Sequence, residues 1–227
     1  MLEILLRAVK DIFDKKIFLT SLVPIVLAAF FWGIVFFVFR NSIESFIVYI
    51  VGFIPFFGDS KWLQNLVEVV GLVFVYYELL ILTSVMIVGL ISDKIVDRLN
   101  DKYYQLDKRG FGSTMESIKI SVKQNLLFIF LFILFLPLIF IPLLNIAVNL
   151  FLWMIVIKKP MFYDSVSMYA TKEEYEKLYK SNKFGTFIVT LLSASLFLIP
   201  LLGVFVYILQ LLVFAHYNLD RLRKIRG

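Results

Sequence analysis

Residues 125–157 read NLLFIFLFILFLPLIFIPLLNIAVNLFLWMIVI, 33 positions without a charge. At about 1.5 Å per residue, one straight helix of that length would reach roughly 50 Å, well past the roughly 30 Å hydrocarbon core of a bilayer. Pro137 and Pro142 fall near the middle. Proline removes a backbone donor and collides with the preceding turn, so a helix breaks there. The stretch reads as two half-helices that enter and leave on the same face. Residues 187–217 repeat the situation around Pro200. The runs 17–39 and 66–92, at 23 and 27 residues, each suit one full crossing. The expected fold class is all-α integral membrane: two full transmembrane helices plus two pairs of re-entrant half-helices, with cytoplasmic helical extensions.

Charge gives an independent reading. Lys and Arg number four in residues 1–16, two in 40–65, seven in 93–124, six in 158–186 and four in 218–227. With both proline-broken runs folded as hairpins, 21 of the 23 basic residues fall on one side, which the positive-inside rule makes the cytoplasm. The chain is 61% hydrophobic and 17% aromatic, more apolar than soluble domains, and its net charge of +6 sits beside apolar runs. That placement suits anionic lipid headgroups and excludes a nucleic-acid role. With no cysteine, thiolate chemistry, disulfides and cysteine-held metals are excluded.

The 227 residues are expected to form a single membrane domain. Its parts are an interfacial helix at 1–16, span 1 at 17–39, an outer segment at 40–65 and span 2 with its cytoplasmic extension at 66–104. Helical hairpin 1 follows at 125–157, then a cytoplasmic loop with a short helix at 158–186, hairpin 2 at 187–217 and a cytoplasmic tail at 218–227. Leu2, Leu5, Leu6, Val9, Ile12 and Phe13 form one helical stripe suited to a membrane surface. Ile95, Val96, Leu99 and Tyr103 carry the second span's stripe into the cytoplasm. Thr171 and Glu174 have capping-box spacing, and Glu173–Lys177 and Glu176–Lys180 have the spacing of helical ion pairs. An Ile-Pro, two apolar residues, then Gly or Asn recurs at 54–58, 141–145 and 199–203, the last two at the hairpin tips.

Catalytic motifs are missing, no cofactor is implied, and the lone His216 at the end of an apolar run reads as structural, so no enzyme is expected. Two features point to a solute. Half-helices starting near Leu143 and Leu201 would place free backbone donors and positive helix ends at membrane depth, as broken transporter helices do for anions. Asn145 and Asn149, one turn apart, could donate to the same anion, or could instead hydrogen-bond between helices. Glu78 stands near the centre of the second span, where an acid is costly and a proton-linked role is the functional reading. A bond from Tyr76 or Tyr77 is its structural alternative.

The chain also resembles the CysZ-type sulfate permeases of bacterial inner membranes, within the etoposide-induced-protein superfamily. The likeness rests on Ala8-Val9-Lys10, Pro24, Arg98-Leu99, Ile141-Pro142, Leu152-Trp153, Tyr163-Asp164, Phe184-Gly185 and Ile199-Pro200-Leu201-Leu202. It implies two spans with two half-penetrating helix pairs. It also implies an inner-membrane permease for a small oxyanion, sulfate first, with both termini cytoplasmic. The alternative is a non-transporting scaffold or assembly factor of the same fold. Expected partners are the bilayer and a small inorganic anion, with self-association into a homo-oligomer left open. Where sulfate-carrying members have Gly-Leu-Arg-Arg, this chain has Lys16-Ile17-Phe18-Leu19, which leaves Lys15 and Lys16 as the nearest cations. Lysine lacks the planar fork with which arginine grips an oxyanion.

The topology is directly testable, because no native cysteine interferes. A Ser181→Cys chain should react with a membrane-impermeant thiol reagent only after cells are opened. Labelling of intact spheroplasts would place 158–186 outside.

Overall fold

Apolar stripes and their interruptions determine where each helix starts, bends and stops. The computed structural model describes residues 2–51, 61–139, 141–198 and 203–227, with backbone alone for 50, 51, 61–68, 142, 198 and 203–205. The first Ile-Pro copy at 54–58, together with Pro200 and Leu201, lies outside the described residues. Helix α1 spans Leu2–Ile12 and buries Ala8 and Asp11, while Leu2, Leu6 and Phe13 stay exposed. Helix α2 spans Lys15–Val51 with a kink at Phe39, where φ is −106° and ψ is 20°. Helix α3 spans Lys61–Leu99, 39 residues. At about 1.5 Å per residue it reaches roughly 58 Å, so it continues well beyond any bilayer core.

Asn100 stops α3. The helix widens into a π turn at Asn100–Tyr104, and Gln105 turns left-handed at φ 52° with its N–H on Asn100 O. The Asn100 side chain holds Leu106 at both backbone groups, Leu106 N–H to Oδ1 at 2.9 Å and Nδ2 to Leu106 O at 3.1 Å. The chain then crosses residues 167–168, with Gly112 N–H on Ser167 O. A Cβ at Gly110 would lie 2.2 Å from the Met168 backbone, so only glycine permits that crossing.

Helices α4, Thr114–Ile139, and α5, Pro142–Val166, pack side by side as a hairpin, with Ile141 outside both helices. The break falls between the two prolines read from the sequence. Its arms, at 26 and 25 residues, are longer than the half-helices expected within 125–157. Both continue into charged sequence, because nothing stops helix formation where the apolar run ends. By length and composition, four stretches among the described residues suffice to cross a membrane: Lys15–Tyr49, Val69–Tyr104, Thr114–Ile139 and Leu143–Val166.

Helix α6 spans Lys172–Ser181 and opens on a complete capping box, with Thr171 Oγ1 accepting from Glu174 N–H and the Glu174 carboxylate accepting from Thr171 N–H. Lys180 pairs with Glu176, while Glu173 turns to Thr171 instead of Lys177. Helix α7 spans Lys183–Ser195 and tightens into a 3-10 turn at Leu196–Leu198; α8 spans Gly203–Arg226. Almost every residue of α8 from Val206 to Leu219 is buried, against α1, α3, α5 and α7. The last apolar run therefore supplies the centre of the bundle. Large apolar side chains of α2, α4 and α5, including Phe30, Phe37, Phe130, Ile133 and Leu143, point outward. Outward apolar and inward polar groups are the arrangement that lipid requires.

A polar clamp closes the charge-rich end. The Asp11 side chain has no solvent exposure; its Oδ1 accepts from Lys102 Nζ at 2.6 Å and Tyr103 OH at 2.9 Å. Its Oδ2 lies 2.9 Å from His216 Nε2, and His216 Nδ1 lies 2.7 Å from Tyr104 OH. Arg98 forks onto Asp14 at 2.7 and 2.9 Å, and Arg226 forks onto Glu174 at 2.7 and 2.9 Å. The guanidinium partners hold both carboxyls below their usual range.

Asp11→Ala removes the acceptor for three side chains and should cost about 2–4 kcal/mol, read as a lowered unfolding midpoint in detergent. For Asp14 and Glu174 the folded pKa lies below the unfolded value. Their stabilisation is thus complete above the unfolded value, about pH 4, and is lost as pH falls through the folded one. The parent midpoint should drop on acidification below pH 4. That drop should be smaller in an Asp14→Asn, Glu174→Gln chain.

Candidate functional site

The residues singled out in the sequence fall into two groups at opposite ends of the bundle. Lys15 and Lys16 are exposed at the start of α2. The opening turn there already has its anion. Asp14 Oδ1 accepts from Lys16 N–H at 3.0 Å and Ile17 N–H at 3.4 Å while its carboxylate pairs with Arg98. Ile17 is packed into the core at 2% exposure.

At the tip of the α4–α5 hairpin, Leu143 is exposed and Ile141 offers no side-chain cap. Asn145 Nδ2 donates to Ile139 O at 2.7 Å, tying the start of α5 to the end of α4. Asn149 Nδ2 donates to Asn145 O at 3.0 Å and to Asn145 Oδ1 at 2.6 Å. Asn145 thus bonds between the two helices, whereas both bonds of Asn149 stay within α5. An amide nitrogen carries two hydrogens, so Asn145 keeps one for a solute. From Asn145 to Asp164, at the other end of α5, is about 28 Å at 1.5 Å per residue. The lysine pair and the asparagine pair do not converge.

Glu78 is largely out of water, and its Oε2 has no hydrogen-bond partner among the described residues. Tyr76, one of its two proposed partners, donates instead to Ala29 O at 3.1 Å and so joins α3 to α2. Trp32 Nε1 donates to Thr83 Oγ1 at 2.8 Å across the same pair of helices. His216 sits fully buried in the clamp, which is the structural role read for it.

A third place was not singled out as a site. Near the charge-rich end, α3, the start of α4 and the end of α5 enclose a partly open cavity of about 250 Å³. Asp93, Ser113, Thr114, Tyr163, Asp164 and Ser167 line it. Asp164 is 3% exposed; its Oδ1 accepts from Ser117 Oγ at 2.6 Å, and its Oδ2 has no partner. A Cβ at Gly89 would stand 2.3 Å from Ser117 Oγ and 3.3 Å from Asp164 Oδ2. Glycine on α3 is what lets α4 and α5 bring these groups together. The sequence signal was present in Tyr163-Asp164, but nothing in spacing pairs Asp164 with Asp93, 71 positions earlier. Among the described residues, no group of three or more His, Asp or Glu side chains gathers as for a metal cage.

Long apolar helices with outward-facing apolar side chains and hydrogen bonds between helices inside define a multi-pass α-helical membrane protein. Over residues 4–207 the chain matches the family described as Sulfate transporter CysZ/Etoposide-induced protein 2.4, and it belongs to that family. Comparison with curated proteins gives no match, and neither does comparison with solved structures.

Gly89→Ala should destabilise the fold by about 1–3 kcal/mol, because the added methyl displaces Ser117 from Asp164. Adding Ser117→Ala to Gly89→Ala should cost less than the two changes summed, since the methyl then meets no hydroxyl. Unfolding midpoints of the three variants measure this.

Proposed function

We propose that the chain is a permease for a small oxyanion, sulfate first, in the inner membrane of a bacterial cell with both termini cytoplasmic. The carrying observation is the family match over residues 4–207 on a chain with four helices, among the described residues, apolar enough to cross a bilayer. Charge placement supports the orientation: Lys119, Lys123, Lys158 and Lys159 flank both outer ends of the α4–α5 hairpin. The apolar parts of these arms, 125–139 and 142–157, are about 22 and 24 Å long at 1.5 Å per residue, short of a 30 Å core. On this reading the tip stops inside the membrane. Helix α7, with 13 residues, is shorter still, and the second hairpin follows the same rule.

Within this reading, the solute meets Lys15 and Lys16 at the cytoplasmic face and the half-helix starts at Leu143 and Leu201 at depth. Asn145 and Asn149 flank the first of those starts, and Glu78 serves as a proton-linked group on α3. The scaffold alternative draws support from two observations. The start of α2 is capped by Asp14, and the Asn149 amide spends both its hydrogens on Asn145, whose own amide already donates to Ile139 O.

Radiolabelled sulfate flux into proteoliposomes separates the two. The permease reading expects flux above protein-free vesicles, and absence of flux supports the scaffold. In a transporting parent, Asn145→Leu should weaken sulfate binding by about 1–3 kcal/mol, the usual loss for a bond to a charged group. Substituting Gln for Lys15 and Lys16 should slow capture, with the effect shrinking at high salt. Flux indifferent to Asn145→Leu moves the site away from the hairpin tip.

A further inference from the structure

The cavity between α3, α4 and α5 has a chemistry opposite to that of an anion site. Every side-chain donor atom on its wall is an oxygen, apart from the thioether of Met168: carboxylates of Asp93 and Asp164, and hydroxyls of Ser113, Thr114, Tyr163 and Ser167. Asp164 is almost wholly out of water, with one carboxylate oxygen held by Ser117 and the other without a partner among the described residues. A buried carboxylate oxygen left unpaired is costly unless a cation satisfies it or a proton neutralises it. The side chains nearby do not supply that charge. Lys108, across from α3, is bound to Asp97, and Asp93 takes part in no ion pair among the described residues. Arg109 pairs with Asp107, and Arg226 is engaged by Glu174.

We infer that this cavity is a binding site for a small monovalent cation, sodium in the first instance, with Asp164 as its anchoring ligand. Hard cations take oxygen ligands, and the wall provides only such groups besides one sulfur. Two carboxylates among neutral hydroxyls are a sparser set of charged ligands than the calcium cages built from several carboxylates. The volume of about 250 Å³ leaves room for an ion that keeps part of its water shell. Asp164 and Ser167 form the buried floor, while Ser113 and Thr114 are exposed at the mouth, so the ion enters from the charge-rich end. Gly89 then has a reason beyond packing, since it keeps α3 from filling the space beside Asp164. If the chain carries an oxyanion inward, an ion held here offsets its charge, a coupling that rests on the permease reading. The site itself does not.

Binding is read without sulfate, so failure of sulfate flux leaves it untouched. The purified full chain in detergent is unfolded by heat in sodium chloride, potassium chloride, calcium chloride or choline chloride at matched ionic strength and fixed pH. Direct uptake of radioactive sodium by the immobilised chain is measured alongside. The expected result is a midpoint that rises with sodium over choline, and sodium binding weakened at least tenfold in Asp164→Asn. Asp93→Asn, at the less buried wall, gives a second variant should Asp164→Asn fold poorly, and it should also weaken sodium binding. Equal midpoints in sodium and choline with no bound sodium would overturn the inference. So would sodium binding unchanged in both variants, a midpoint that follows pH alone, or a response confined to calcium.

Discussion

The Asp11 carboxylate is out of water and must find all of its hydrogen bonds inside the protein. It takes them from Lys102 and Tyr103 at the end of α3 and from His216 on the central helix α8. A buried charge with one partner removed is worse than no charge at all, so these groups stand or fall together. Their agreement fixes three elements: the amphipathic α1, the continuation of α3 past its apolar run, and the register of α8. Tyr104 extends the chain of bonds through His216 Nδ1, and the Arg98–Asp14 fork secures the turn into α2. Helices that share no hydrophobic driving force inside lipid need such polar contacts, along with packing, to choose one arrangement.

Above the clamp the same logic runs in reverse. Apolar side chains of α2, α4 and α5 face outward, and hydrogen bonds between helices lie inside. Trp32 joins Thr83, Asn125 Nδ2 joins Leu82 O at 3.0 Å, Gln210 Nε2 joins Ser193 O at 2.9 Å, and Tyr207 joins Ser21 O. Each ties one long helix to another where water is scarce, and each costs more to leave unmade than it would in a soluble protein. The central α8 is apolar and polar by turns, because it meets a different neighbour on every side.

Membrane class, helix count in the first half and the break between Pro137 and Pro142 were legible from run length, proline and charge. So were the capping box at Thr171 and the continuation of α3 through Ile95, Val96 and Leu99, which are all buried. The lengths of α4 and α5 were not, because hydropathy marks where a helix meets lipid and not where its hydrogen bonds end. Nor was the central place of α8: its run reads like any other membrane segment, and only packing reveals that protein surrounds it. Asp11 looked like an ordinary charge on a surface helix, and its burial depends on Lys102 and His216, 91 and 205 positions away. The acidic cavity needed Gly89, Asp93, Ser117 and Asp164 from three helices. No local pattern announces such a meeting. Charge alone also does not separate a hairpin that crosses fully from one that stops short, since both return the chain to the side it left.

That depth is what the account depends on, since a tip held within the bilayer is what would bring the start of α5 within reach of a solute at depth. A nitroxide at position 143 in reconstituted vesicles reports it by power-saturation electron paramagnetic resonance. Half-penetration predicts strong relaxation by oxygen, dissolved in the hydrocarbon, and weak relaxation by a water-soluble nickel chelate added to both sides. Strong relaxation by the chelate with little effect from oxygen would place the tip in water beyond the far face and contradict the re-entrant arrangement.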